Sequence, residues 1–344
     1  MTRRTTISDI ARRAGVSAGA VSYALNGRPG VSQQTRARIL AVAEDAGWRP
    51  NLAARSLTVS RAQAVGWVIA RSTPTIGVEP FFTQVIAGLE RELSAANVAL
   101  LLQVTHSQEK AIAATRRWWA ESRIDGVILT DMSTEDPRVP LVVELGIPAV
   151  IMGEPFADCD VPAVWHNEQE AVDAVIDYLV ALGHRRISWV SGLPRLVHTQ
   201  NRKRAYAAAL ARHELAPPTP PLDTDYTRLD GERATRSLLT VRRRPTAIVY
   251  DNDVMAVSAL TVVRELGLSV PDDVSIVSID DSELCVLVTP ALTALSRDTA
   301  AYAELTARTL LDQLDADEPL AAREVASGVL VPRASTSAPP PRRS

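Results

Sequence analysis

The stretch GVSAGAVSYALNG, residues 15–27, holds residues suited to contact chemistry. It reads as a short helix opened by Ser17, with Ala18, Gly19 and Ala20 at its tip. Those three present methyl groups and bare backbone. They allow close approach to a surface but supply no side-chain hydrogen bonds. Polar contacts then fall to Ser17, Ser22, Tyr23 and Asn26. Residues 1–61 carry ten arginines against three acids, a net of +7, so the remainder carries −10 of the total of −3. A basic head on an acidic body points to a polyanionic partner for the head.

Several chemistries are missing. No G-x-G-x-x-G, G-x-x-x-x-G-K, H-E-x-x-H or G-x-S-x-G occurs. The five histidines (106, 166, 184, 198 and 213) are scattered, without a metal-type partner at i+3 or i+4. Cys159 and Cys285 make neither a disulfide framework nor a ligand spacing, and read as reduced structural thiols. The N-terminus has no apolar export segment, and no 18-residue apolar run occurs. The expectation is a cytoplasmic protein that is not an enzyme, away from membranes, with no cofactor and no metal.

Three short helices are predicted in the head. Thr6 with Asp9 forms a capping-box-like start, and Ile7, Ile10, Ala11 and Ala14 follow at helical spacing. After Gly15, Ser17 caps a second helix with Ala20, Val21, Ala24 and Leu25 apolar, ended by Asn26-Gly27. Ser32 caps a third with Ile39, Leu40, Val42 and Ala43 apolar, closed by Gly47. This is the helix-turn-helix pattern.

From residue 62 onward, apolar runs alternate with helical stretches. The strand candidates are 64–70, 98–104, 125–130, 148–153, 186–192, 246–251 and 274–280. Being apolar on both faces, they read as buried parallel strands of an α/β fold. Strands on both sides of residue 160 suggest two subdomains. The Pro-rich tail, 335–344, is expected to be disordered.

The wording TISDIARRAGVSAGAVSYALNG, VSQQTRARILAVAEDAGWRPN and AARSL resembles the LacI/GalR (lactose-repressor) family without a gap from Thr6 to Leu57. EPFFTQVIAGLE, YDNDVMA, VSIVSIDDSE and PALTALSRD extend the similarity more loosely, with Glu79 in place of the usual Asn and Ala205 in place of a glycine. The resemblance implies an all-α helix-turn-helix head plus an α/β periplasmic-binding-protein-like core of two parallel-sheet subdomains. The head would span 1–50 and a hinge helix and linker 51–61. The core would span 62–334, with one subdomain from 62–162 and 294–319 and the other from 163–291 and 321–334. Chain crossings are expected near 161–164, 290–294 and 318–322.

The function implied is a homodimeric, sequence-specific transcriptional repressor. It would bind a near-palindromic double-stranded DNA operator, under control of a small-molecule effector, most naturally a sugar, in the cleft between subdomains. The DNA-contacting set implied is Thr6, Ser17, Ala18, Gly19, Ala20, Ser22, Tyr23, Asn26, Arg28, Asn51, Arg55 and Leu57. Tyr23 is expected to carry direct base readout, with Ser17, Ser22 and Asn26 on phosphates. Pro50-Asn51 suits a helix start, and the segment to Leu57 is too short to be helical alone in water. Leu57 then serves as a minor-groove wedge, or packs under the core.

In the cleft the resemblance implies Phe81, Phe82, His166, Arg202, Asn252 and Asp280 as effector contacts. Arginine, amide and carboxylate together match hydroxyls that both donate and accept. Capping is the competing role for Asn252 and Asp280, an ion pair for Arg202 and core packing for the phenylalanines. Asp253 is expected to cap a helix, and Trp165 either stacks on a ligand or lies in the core. Two further readings stay open: a DNA-binding regulator without an effector, and a sugar-binding protein.

Overall fold

The computed structural model describes residues 5–25, 29–46, 48, 61–71, 73–156 and 159–340. Asn26, Arg28, Gly47, Asn51, Arg55, Leu57 and the expected hinge helix lie outside these residues. The chain divides into two compact units, Met1–Ala62 and Gln63–Ser344.

In the first unit, helices α1 (Ile7–Ala14), α2 (Ala18–Leu25) and α3 (Gln33–Asp45) surround a small core. Thr6 and Asp9 close a reciprocal capping box: Asp9 N–H donates to Thr6 Oγ1 at 3.3 Å and Thr6 N–H to Asp9 Oδ2 at 3.0 Å. Each start is thereby fixed by a side chain standing in for a missing helical acceptor. Ser17 Oγ accepts from Ala20 N–H at 3.1 Å, and Ser32 Oγ from Thr35 N–H at 3.2 Å. Ile10, Val21 and Ile39 are fully buried, one from each helix, each contributing about 1.5–3 kcal/mol. Leu40 differs from expectation. It is 47% exposed, because α3 turns Ile39 and Ala43 inward instead.

The second unit is built on two six-stranded sheets. The first contains β1 (Ala64–Ala70), β2 (Ala99–Thr105), β3 (Gly126–Leu129), β4 (Ala149–Met152), β5 (Ala163–His166) and β11 (Arg323–Val325), in the order β11-β5-β4-β3-β1-β2 and parallel throughout. The second contains β6 (Ile187–Ser191), β7 (Leu222–Asp223), β8 (Ala247–Tyr250), β9 (Ser275–Ser278), β10 (Thr293–Ser296) and β12 (Val329–Val331), in the order β12-β10-β9-β8-β6-β7. Only β12 runs antiparallel, against β10. β3, β4, β8 and β9 are buried at every position, which matches their unbroken apolar or small-residue runs.

Helices cover the sheets: α4 (Thr73–Val78), α5 (Pro80–Ala95), α6 (Gln108–Ala120), α7 (Arg138–Leu145), α8 (Glu168–Ala181), α9 (Val197–Arg212), α10 (Arg228–Leu239), α11 (Asp253–Glu265), α12 (Glu283–Leu287) and α13 (Thr299–Asp315). Helix α13 packs on α5 so closely that a Cβ at Gly88 would lie 2.3 Å from the Ala300 carbonyl oxygen. Only glycine allows that approach.

The subdomain boundaries are corrected. β5 pairs with β4 and so stays in the first sheet, and β10 pairs with β9 in the second. The crossings therefore fall after His166, after Ser296 and after Val325, a few residues later than expected. The tail is corrected too. Ser335 is fully buried, with its hydroxyl accepting from Thr293 N–H (2.8 Å) and donating to the Ile276 carbonyl (2.6 Å). The Ser337 carbonyl lies 2.9 Å from His184 Nε2. Small serines fit the sheet end and satisfy its polar groups, which outweighs the Pro-rich composition that suggested disorder over 335–344; residues 341–344 lie outside the described residues.

Candidate functional site

In the first unit, Ser17, Ala18, Gly19 and Tyr23 are exposed on α2, with Ala20 and Ser22 half-buried beside them. Spacings of one, four and five residues put Ala18, Gly19, Ser22 and Tyr23 on one helical face. Tyr23 is 45% exposed. Its ring lies along Gly30, where a Cβ would come within 3.3 Å of Cδ2 and where φ is +115°. Thr6 is exposed but engaged in its capping box.

In the second unit, a cavity of about 120 Å³ opens at the carboxyl ends of both sheets. That is where the strands of open α/β sheets leave room for ligands. The residue just past a strand supplies part of its polar wall: Arg71 after β1, Asp251 after β8 and Arg297 after β10, with Asp131, Glu154 and Asp280 two residues past β3, β4 and β9. Of the residues expected in the cleft, Phe81, Phe82, His166, Arg202 and Asp280 line this cavity. Phe82 also belongs to the core, 1% exposed, with Phe81 edge-on to it at 5.5 Å. His166 rests on the Tyr302 ring at 4.3 Å and its Nδ1 meets the Ala326 carbonyl at 2.7 Å. Burial, reinforced by Arg297, pushes its pKa down to about 4, so it is neutral at physiological pH.

Arg202 sits in a buried ionic cluster. Its Nε and Nη2 donate to Glu168 at 2.9 and 3.4 Å, and its Nη1 to the Asp251 carbonyl at 3.2 Å. Arg297 donates to the same carboxylate through Nη1 and Nη2, both at 3.0 Å. Burial alone would raise the Glu168 pKa, but Arg202 and then Arg297 reverse it, holding the group far below the usual carboxylate range. Arg297 Nε also donates to the Ser327 carbonyl at 3.1 Å. Glu168, Arg297 and Ser327 belong to the three different crossings, so this cluster ties the crossings to one another and to Arg202.

Asp280 is titratable near neutrality. Burial pushes its pKa up to about 7 despite Arg202, with Asp253 adding to the rise. Glu79, just before α5, is likewise pushed up to about 7 by burial, against Arg71.

Asn252 takes the competing role of helix cap. It does not line the cavity. Its Oδ1 accepts from Met255 N–H at 3.0 Å, which makes it the cap of α11, while its Nδ2 donates to Glu79 Oε1 and the Tyr226 carbonyl, both at 3.2 Å. Asp253 is thus the first helical residue rather than the cap. Trp165 does not line the cavity either.

Sequence reasoning missed Arg71, Glu79, Asp131, Tyr226 and Arg297. Arg71 pairs with Asp131 through Nε (2.7 Å) and Nη2 (3.0 Å), and its guanidinium lies 4.8 Å from the centre of the Tyr226 ring. The available signal for Arg71, Asp131 and Arg297 was position, a charged residue one or two places beyond a strand. For Glu79 it was the departure from the usual asparagine.

Residues 6–51 match the bacterial regulatory proteins of the lacI family, and residues 176–336 a periplasmic binding protein-like domain. A ribose operon repressor of Haemophilus influenzae is 28% identical over 312 residues, covering 90% of this chain and 92% of its own. The solved complex of the transcriptional regulator CelR with cellobiose superposes with a TM-score of 0.73 at 27% identity, over 96% of this chain and all of that one. The lac repressor dimer bound to operator superposes with a TM-score of 0.86 at 23% identity, over 98% of this chain and all of that one, a likeness of fold.

Proposed function

From the premise that this chain belongs to the lacI family of bacterial regulatory proteins, we propose that it is a cytoplasmic, homodimeric transcriptional repressor. It binds a near-palindromic operator, and a small polyhydroxylated effector in the cleft changes its operator affinity. It carries out no catalysis. The observation that carries this reading is a largely buried cavity at the carboxyl ends of both sheets, walled by Arg71, Glu79, Arg202 and Asp280, in a chain headed by a helix-turn-helix. The ribose operon repressor and the CelR–cellobiose complex support a sugar as the effector class.

The ionic cluster offers the route from ligand to operator. A ligand that touches Arg202 alters how it holds Glu168, and Glu168 is joined through Arg297 to all three crossings. The angle between the lobes then shifts between two arrangements. On DNA, α2 presents Tyr23 to the bases, and Leu57 serves as the minor-groove wedge.

The test is selection of bound fragments from the organism's genome, followed by binding to the selected site with and without each of a set of sugars. The expected result is one palindromic site whose affinity changes at least about tenfold with one sugar, the size of a ~1.4 kcal/mol coupling. Failure to enrich any site would overturn the operator reading. An enriched site indifferent to every sugar would overturn effector control by sugars.

A further inference from the structure

Two buried side chains on the first-sheet wall of the cavity each keep a polar atom without a partner. Arg71 uses Nε and Nη2 on Asp131, and its Nη1 is buried with no acceptor. Glu79 accepts from Asn252 through Oε1, and its Oε2 is buried with no donor. Both residues are 6% exposed and both line the cavity. Buried polar groups in native proteins are almost always satisfied, so two orphans on one cavity wall point to a bound molecule that completes them. Nη1 requires an acceptor, and Oε2, on a carboxyl pushed up to about 7, requires a donor when ionised and an acceptor when protonated. A pair of neighbouring hydroxyls supplies both.

Charge narrows the class. Asp131 already neutralises Arg71, and Arg202 and Arg297 share Glu168 while their remaining donors meet carbonyl oxygens. Among the described residues, no ion pair joins Glu79, Glu154 or Asp280 to an arginine, and all three line the cavity. A carboxylate or phosphate on the ligand would enter this acidic wall without a free cation to balance it. A cationic group only donates, so it would leave Arg71 Nη1 without an acceptor. A neutral molecule meets neither penalty.

We infer that Arg71 and Glu79 determine specificity by holding two neighbouring hydroxyls of an uncharged polyol, and that the acidic wall around them excludes uronates and sugar phosphates. This deepens, and rests on, the reading of the cavity as the effector site. Burial and the nearby Asp280 both push the Glu79 pKa upward, so a further anion beside it is opposed.

The test is calorimetric titration of the full chain with matched probes: D-ribose and D-ribose 5-phosphate, D-glucose, D-glucuronate and D-glucose 6-phosphate, and cellobiose. Each neutral sugar that binds is expected to exceed its own anionic derivative at least tenfold. Arg71→Lys keeps a charge beside Asp131 but loses the guanidinium fork, and is expected to weaken the neutral sugar at least fivefold. Glu79→Gln keeps the shape, and is expected to weaken the neutral sugar and narrow its margin over the anion. Melting curves verify that both variants fold. If Arg71→Lys does not fold, the parent's selectivity and Glu79→Gln decide.

Anions that bind as tightly as neutral sugars would overturn the inference, as would variants that bind the neutral sugar like the parent. In both cases the effector site itself stands. If the parent binds no sugar, the sugar-effector reading falls and takes the inference with it.

Discussion

Replacing Glu168 by Gln should weaken the second unit sharply. The Glu168 side chain is 8% exposed and accepts four hydrogen bonds from Arg202 and Arg297, at 2.9, 3.4, 3.0 and 3.0 Å. Gln retains one acceptor oxygen but no charge, and leaves two buried guanidinium groups side by side. Removing one member of a buried ionic group costs about 3–5 kcal/mol, because the remaining charges stay desolvated and unbalanced. At roughly 2–4 °C per kcal/mol for a domain of this size, the melting temperature should fall by about 6–20 °C. Adding Arg297→Met to Glu168→Gln should recover part of the loss, since one of the two stranded cations is removed.

The pH dependence has a definite sign. The folded-state pKa of Glu168 is depressed from its ordinary 4.5, so its stabilisation is fully present above about pH 4.5 and is lost as pH falls toward the depressed folded value. The gap between parent and Glu168→Gln should therefore be constant from pH 5 to 8. Calorimetric melts at pH 5, 6, 7 and 8 measure it. A fall of less than about 2 °C at pH 7 would refute the claim that the cluster holds the crossings together, as would a gap that grows on acidification.

Three other perturbations follow from the same geometry. Asp280→Asn should leave stability near that of the parent at pH 4 and increasingly exceed it as pH rises to about 7, because the raised folded pKa penalises the ionised carboxylate between about pH 4 and 7; an advantage that shrinks with rising pH in urea titrations would contradict this. Ser335→Ala should lower core stability by about 1–3 kcal/mol through two lost buried hydrogen bonds, and an unchanged urea midpoint would show that the tail does not hold the sheet end. Tyr23→Ala should change the preferred operator rather than merely weaken binding, which repeated selection of bound sequences would detect; the same enriched sequence would move base readout elsewhere on α2.

The elements legible in the sequence were those whose physics is local. β1, β3, β4, β6, β8 and β9 carry apolar or small residues on both faces, and their runs coincide with the strands to within a residue or two. The caps at Thr6, Ser17 and Ser32 are legible for the same reason, since a cap and the N–H that donates to it lie three residues apart. β5 and β10 were not legible. AVWH and TALS are short, and only pairing with distant Met152 and Val277 gives each its sheet. That non-local choice displaced the first two crossings, and the pairing of β11 with β5 displaced the third.

The site divides similarly. Arg202 and Asp280 were legible through resemblance, and both reach the cavity. Arg71 and Arg297 carry no periodic signal, because each is the first charged residue past its strand and its role depends on where that strand ends. Asn252 shows the limit at single-residue scale. Its capping role was one of two that the sequence offered, but the turn of its amide toward Glu79, 173 residues away, is not revealed by sequence spacing.

The three crossings bear on how such a chain can be recombined. Each lobe of the second unit is assembled from separated segments, and the final crossing returns the chain to complete the second sheet with β12. No single cut yields one whole lobe, so a lobe cannot be exchanged with a relative as one block of sequence. The first unit, by contrast, is contiguous and ends at Ala62. Chimeras joined near residue 62 keep both hydrophobic cores intact. New pairings of operator and effector are therefore reached by moving the head, while new ligand preferences require substitutions made residue by residue around the cavity.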